Sequence, residues 1–137
     1  MAYLIGVVVA ITVCGFATIA GLDRDRAFYP TVTIVIAWYY GLFAVMGGST
    51  RVLMQESIAI TGFMVIAIVG FKRTLWLIVV ALAAHGAFDF IHGSVIADPG
   101  VPEWWPAFCL AADVVMAAYL ALLLLRARIP ASAPVGR

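Results

Sequence analysis

Apolar residues run almost unbroken along this chain, and its few polar interruptions mark where each run ends. A membrane-crossing helix needs about 20 mostly apolar residues. Residues 2–22 carry no charge and meet that requirement first. Residues 28–48 follow, with Pro30 in the first turn, where its missing N–H leaves no helical bond unmade. The third run is harder to place, because its uninterrupted part, residues 57–71, gives only about 22 Å of helix against a hydrocarbon core of about 30 Å. Its helix is therefore predicted to begin near Val52, drawing Gln55 and Glu56 into the edge of the bilayer. Residues 74–97 and 106–125 supply the last two spans. The pattern predicts an all-α, polytopic transmembrane helix bundle of five spans, or four if the third does not cross. Residues 1–129 are expected to form this single bundle, and residues 130–137 a short flexible tail.

Composition agrees with the pattern. Of the 137 residues, 66% are hydrophobic and 11% charged, where a soluble domain has about 45–50% and about 25%. A small water-soluble fold leaves too much of its surface exposed to hide so much apolar area. A cytosolic enzyme and a disordered tail are excluded. So is a nucleic-acid-binding module, since the net charge is only +1. The lipid bilayer is the first partner.

The basic residues are unevenly shared between the two ends of the spans. Arg24, Arg26, Lys72, Arg73, Arg126, Arg128 and Arg137 fall on one side, and Arg51 alone on the other. Cytoplasmic loops carry the excess of Lys and Arg, so the N-terminus is expected outside and the C-terminus in the cytoplasm. A dual-topology exporter would need nearly balanced charges. The first span lacks the basic leader of a cleaved signal peptide and reads as a retained helix. Asp23 and Asp25, beside Arg24 and Arg26, read as a solvated charge cluster. Cys14 and Cys109 lie at different depths, about 18 Å and about 4–5 Å from the outer surface, too far apart for a disulfide.

The remaining acidic residues and both histidines gather in the outer half. An ionisable residue inside the bilayer is costly enough to be a functional candidate by default. Span four carries H-x-x-x-D-x-x-H as His85, Asp89 and His92, which share an arc of about 60° on one helix face. Span five carries C-x-x-x-D as Cys109 and Asp113. Asp89 and Asp113 are both expected about 10–12 Å below the surface, on antiparallel neighbours joined by a short loop. Imidazoles, carboxylates and a thiol at one depth match the ligand set of a divalent transition metal such as zinc, copper or iron. Cys109 is a further ligand candidate, and so is Glu56 at the outer end of span three, for which a surface ion pair with Arg51 is the plainer reading. The same groups suit a proton relay or polar packing between helices.

The two signals, L-x-x-H-G-x-F-D-x-x-H followed by F-C-x-x-x-D, resemble a family of small bacterial membrane proteins known only as a domain of unknown function. The similarity covers residues 76–116, less than a third of the chain. It implies that His85, Asp89, His92, Cys109 and Asp113 act as one unit, and it implies no substrate.

Trp104 and Trp105 are expected at the outer headgroups as an aromatic belt, or else as a lid over the polar pocket. Trp38, Tyr39 and Tyr40 are expected to pack within the bundle rather than to stack on a pigment or quinone. No phosphate loop, G-x-S-x-G elbow, C-x-x-C or haem attachment motif occurs. Three functions fit: a metal-dependent membrane enzyme or metal-handling protein, a proton-coupled carrier, and an accessory subunit of a larger membrane complex. A carrier this short would have to work as a homo-oligomer. The bacterial cytoplasmic (inner) membrane is the expected location.

Overall fold

The computed structural model describes residues 1–133, so the last four positions of the expected tail, residues 134–137 with Arg137, lie outside the described residues. Five helices follow one another: α1 (Ala2–Ala20), α2 (Phe28–Met46), α3 (Thr50–Lys72), α4 (Trp76–Val95) and α5 (Trp105–Leu125). Each is long and apolar enough to cross a membrane, which makes this an integral membrane protein with five spans. Many large side chains on the outer faces, Ile19 and Phe90 among them, are open to the surroundings. In a bilayer they meet lipid, not water.

The third span begins at Thr50, two residues earlier than its apolar pattern suggests. Ser49 caps it, its hydroxyl accepting from the Val52 N–H at 3.2 Å. A serine there satisfies one of the free donors of the first turn, so the helix extends through the polar Gln55 and Glu56. Its 23 residues give about 34 Å, enough to span the core.

Helix α5 packs on α4 and on α1, α4 also packs on α3, and α3 pairs with α2. Helix α1 therefore leans on α5. At Gly6 the two backbones come so close that a Cβ would collide with the Phe108 carbonyl oxygen. Between α1 and α2 a cleft in the wall of the bundle is open down to α5.

The turn between α1 and α2, the turn between α3 and α4, and the end of α5 share what is here called the basic end. The charges there are not all solvated, as the sequence suggested. Asp23 and Arg26 are buried. Asp23 accepts from the Thr18 hydroxyl at 2.7 Å, and the Arg26 guanidinium donates to the carbonyls of Phe71 and Pro130. The Phe71 carbonyl lies in the last turn of α3, where intrahelical donors run out, and a five-donor guanidinium can serve it and the Pro130 carbonyl at once.

Past the last helix, residues 131–133 of the expected tail pair with the α3–α4 turn. Ile129 is buried. Leu75 N–H donates to Ala131 O at 2.8 Å and Ala133 N–H to Arg73 O at 3.1 Å, so this segment lies antiparallel to the α3–α4 turn. The apolar Ile129 and the unpaired turn backbone hold it there.

Candidate metal centre

The periodicity of α4 dictates the site. His85, Asp89 and His92 stack along one face of that helix, and all three are buried. Hydrocarbon offers their polar atoms no partner, so each must find one on a neighbouring helix. Asp113 of α5 answers His85, with Oδ2 2.7 Å from the imidazole Nδ1. Asp89, one turn from His85, brings its Oδ2 to 3.3 Å from the same nitrogen. Tyr40 of α2 donates its hydroxyl to Asp89 Oδ1 at 2.6 Å. Glu56 of α3 lies 2.6 Å from His92 Nε2. Four helices thus meet through one set of polar side chains, all at most 2% exposed.

Aromatic rings close the spaces between these groups. Tyr40 stacks on His92 with ring centroids 3.9 Å apart, while Phe63 and Phe88 present edges to His85 and His92. Gly86 lets α5 come close beside the site, for a Cβ there would sit 3.3 Å from Asp113 Cβ and 3.4 Å from the Leu110 carbonyl oxygen.

The six residues singled out from the sequence divide into two groups and a bystander. His85, Asp89 and Asp113 offer ligand atoms within 4.8 Å of one another, close enough to hold one ion. His92 and Glu56 form a separate pair. The reason is geometric. Seven residues of helix separate the two histidines by about 10 Å along the axis, and α4 meets α5 on one flank and α3 on the other. His85 turns to the first and His92 to the second. Glu56 is fully buried on His92, which corrects its expected surface pairing with Arg51. Cys109 is buried and free, as is Cys14, and the Cys109 thiol is not part of the three-residue cluster.

Tyr40 is the residue whose role the sequence did not convey. It was expected only to pack, together with Trp38 and Tyr39. Trp38 is 52% exposed and faces outward, and Tyr39 packs on Trp105; Tyr40 alone points into the site. Its depth was the available signal. Tyr40, Glu56 and Asp89 each lie about 9 Å from the end of their own helix.

Three carboxyl oxygens in this network have no hydrogen-bond partner: Glu56 Oε2, Asp89 Oδ2 and Asp113 Oδ1. Buried oxygens are seldom left so, because each costs about 1–3 kcal/mol of unrecovered solvation. Two of the three belong to the His85 cluster. The donor set, one imidazole and two carboxylates, is of the nitrogen and oxygen type that ligates divalent metals, and three ligands leave coordination positions open.

A cavity of about 570 Å³ lies at the end opposite the basic one, lined by His92, Asp98, Glu103 and the prolines of the α4–α5 loop. Comparison with known protein families, with curated proteins and with solved structures finds no match for this chain.

Proposed function

We propose that His85, Asp89 and Asp113 bind one divalent transition metal, and that the protein is a metal-dependent membrane enzyme. The carrying observation is the charge inventory of the buried site. Glu56, Asp89 and Asp113 are three carboxyls against two imidazoles, with no buried Lys or Arg beside them among the described residues. A protonated His92 against an ionised Glu56 is neutral. A neutral His85 with two carboxylates carries two negative charges, and one divalent cation cancels them. The unpartnered Asp89 Oδ2 and Asp113 Oδ1 supply lone pairs for it.

Such an ion, when bound, supplies Lewis-acid chemistry or an activated water at neutral pH. The chain does the rest. Three protein ligands rather than four leave room for a reacting group, the pattern of catalytic rather than structural sites. Tyr40 holds Asp89 in place through its hydroxyl, and such supporting hydrogen bonds orient ligands and tune their basicity. Phe63, Phe88 and Tyr40 exclude water. Asp98 and Glu103 line the mouth of the cavity above His92, and acidic walls raise the local concentration of cations.

The test is elemental analysis of protein purified without chelators. One zinc, copper or iron ion per chain supports the reading. An empty wild-type protein shifts the weight to an accessory subunit of a larger membrane complex. That second reading is favoured by one observation: His85–Asp113 and His92–Glu56 already bridge helices directly, as interhelical polar contacts do.

For orientation we infer that the basic end faces the cytoplasm of a bacterial inner membrane, with the N-terminus outside. The support is Arg24, Arg26, Lys72, Arg73, Arg126 and Arg128 at one end against Arg51 at the other. Reporter fusions after Arg73 and after Arg128 should both read cytoplasmic. An external reading at either position overturns the orientation.

A further inference from the structure

The cleft between α1 and α2 reaches Asp113 of that cluster from the side of the bundle. It is a cavity of about 400 Å³, within the range that small ligands occupy. Its walls are aliphatic: Val9 and Val13 of α1, and Val32, Val35 and Ile36 of α2. Its floor is α5, where Trp105, Cys109 and Asp113 follow at intervals of four residues on one face. Towards the loop end, Trp105 packs against Tyr39 at 5.0 Å and Phe43 at 4.9 Å between ring centroids.

Two polar atoms in that floor have unmet hydrogen bonds. Asp113 is fully buried; its Oδ2 is taken by His85, and its Oδ1 has no partner. The indole Nε1 of Trp105 is also buried and without a partner. An acyl chain from the bilayer fills an aliphatic cleft but satisfies neither atom. A ligand that carries a hydroxyl satisfies Asp113 by donating to it. Water from the side is a poor substitute, since the cleft opens where lipid chains lie.

We propose that this cavity binds a long-chain aliphatic alcohol or a similar membrane-soluble hydroxyl compound, its hydroxyl donating to Asp113 Oδ1 and its hydrocarbon lying along α1 and α2. Binding by this route needs no metal. That the bound molecule is also the substrate rests on the metal-centre reading, since Asp113 then places the hydroxyl beside the ion.

The experiment is photolabelling of the full chain in lipid nanodiscs with a diazirine-bearing tetradecanol, with its methyl ether as control. The ether keeps the chain and loses the donor. A hydrogen bond to a carboxylate contributes about 1.5–3 kcal/mol, so the alcohol should label peptides of α1, α2 and α5 at least about tenfold more strongly. Val35 lines the cleft at its lipid-exposed rim. Val35→Trp should therefore plug the mouth without touching the core, cutting labelling by alcohol about tenfold while metal content stays unchanged. Equal labelling by alcohol and ether, or labelling indifferent to Val35→Trp, overturns the proposal. Metal content is read on the same samples. Selective labelling of metal-free protein sinks the metal centre alone, and full metal content without selective labelling sinks the alcohol site alone.

Discussion

His85→Ala is expected to lower metal content at least about tenfold and to destabilise the bundle by about 3–5 kcal/mol, the usual cost of breaking a buried ionic cluster. Both effects have one origin. His85 Nδ1 lies 2.7 Å from Asp113 and 3.3 Å from Asp89. Without that ring the two carboxylates face each other with only the Tyr40 hydroxyl for support, and no ion is held well enough to offset them. Adding Asp113→Leu to His85→Ala removes one of the two charges and should recover much of the stability while leaving the protein metal-free. Tyr40→Phe removes a hydrogen bond to a ligand, not a ligand, and should weaken metal binding by about 10–100-fold. His92→Gln should keep the metal, because Nε2 of that ring is engaged by Glu56. Elemental analysis and thermal unfolding in detergent, with and without chelator, read all four variants. Equal metal loss in His92→Gln and His85→Ala would return His92 to the ligand set and break the division of the site.

That division marks the limit of what the sequence carries. The spans were legible because uninterrupted apolar runs of membrane-crossing length permit little else. The face shared by His85, Asp89 and His92 was legible for a similar reason, since helix periodicity is nearly rigid. What each histidine meets depends on which helix lies on which flank of α4, and no local pattern encodes that. Glu56 shows the difficulty best. Its position near the start of a span suggests a solvent-facing residue paired with Arg51. Burial follows because α3 packs on α4, which sets Glu56 against His92. Tyr40 was hidden by its neighbours, as three aromatic residues in a row look alike until the bundle turns one into the polar site, one onto Trp105 and one outward.

Breaking the second pair should produce a different signature from breaking the first. Glu56→Leu and His92→Phe are each expected to cost about 3–5 kcal/mol, and the double variant to recover to within about 1–2 kcal/mol of the wild type. Each single change strands one polar group, at most 2% exposed, with nothing to offset it. The double change removes both groups. Phe at position 92 also keeps a ring against Tyr40, where the present centroid separation is 3.9 Å, and Leu at 56 fills volume that a carboxylate held. Metal content should stay unchanged throughout, because neither residue belongs to the three-residue cluster. Unfolding of the four proteins in one detergent gives the coupling energy directly. Additive losses would mean that Glu56 and His92 are each satisfied separately, by water reaching them through the loop-end cavity that His92 lines. The outer part of the site would then be wet, and the dry interior would begin only at Asp89.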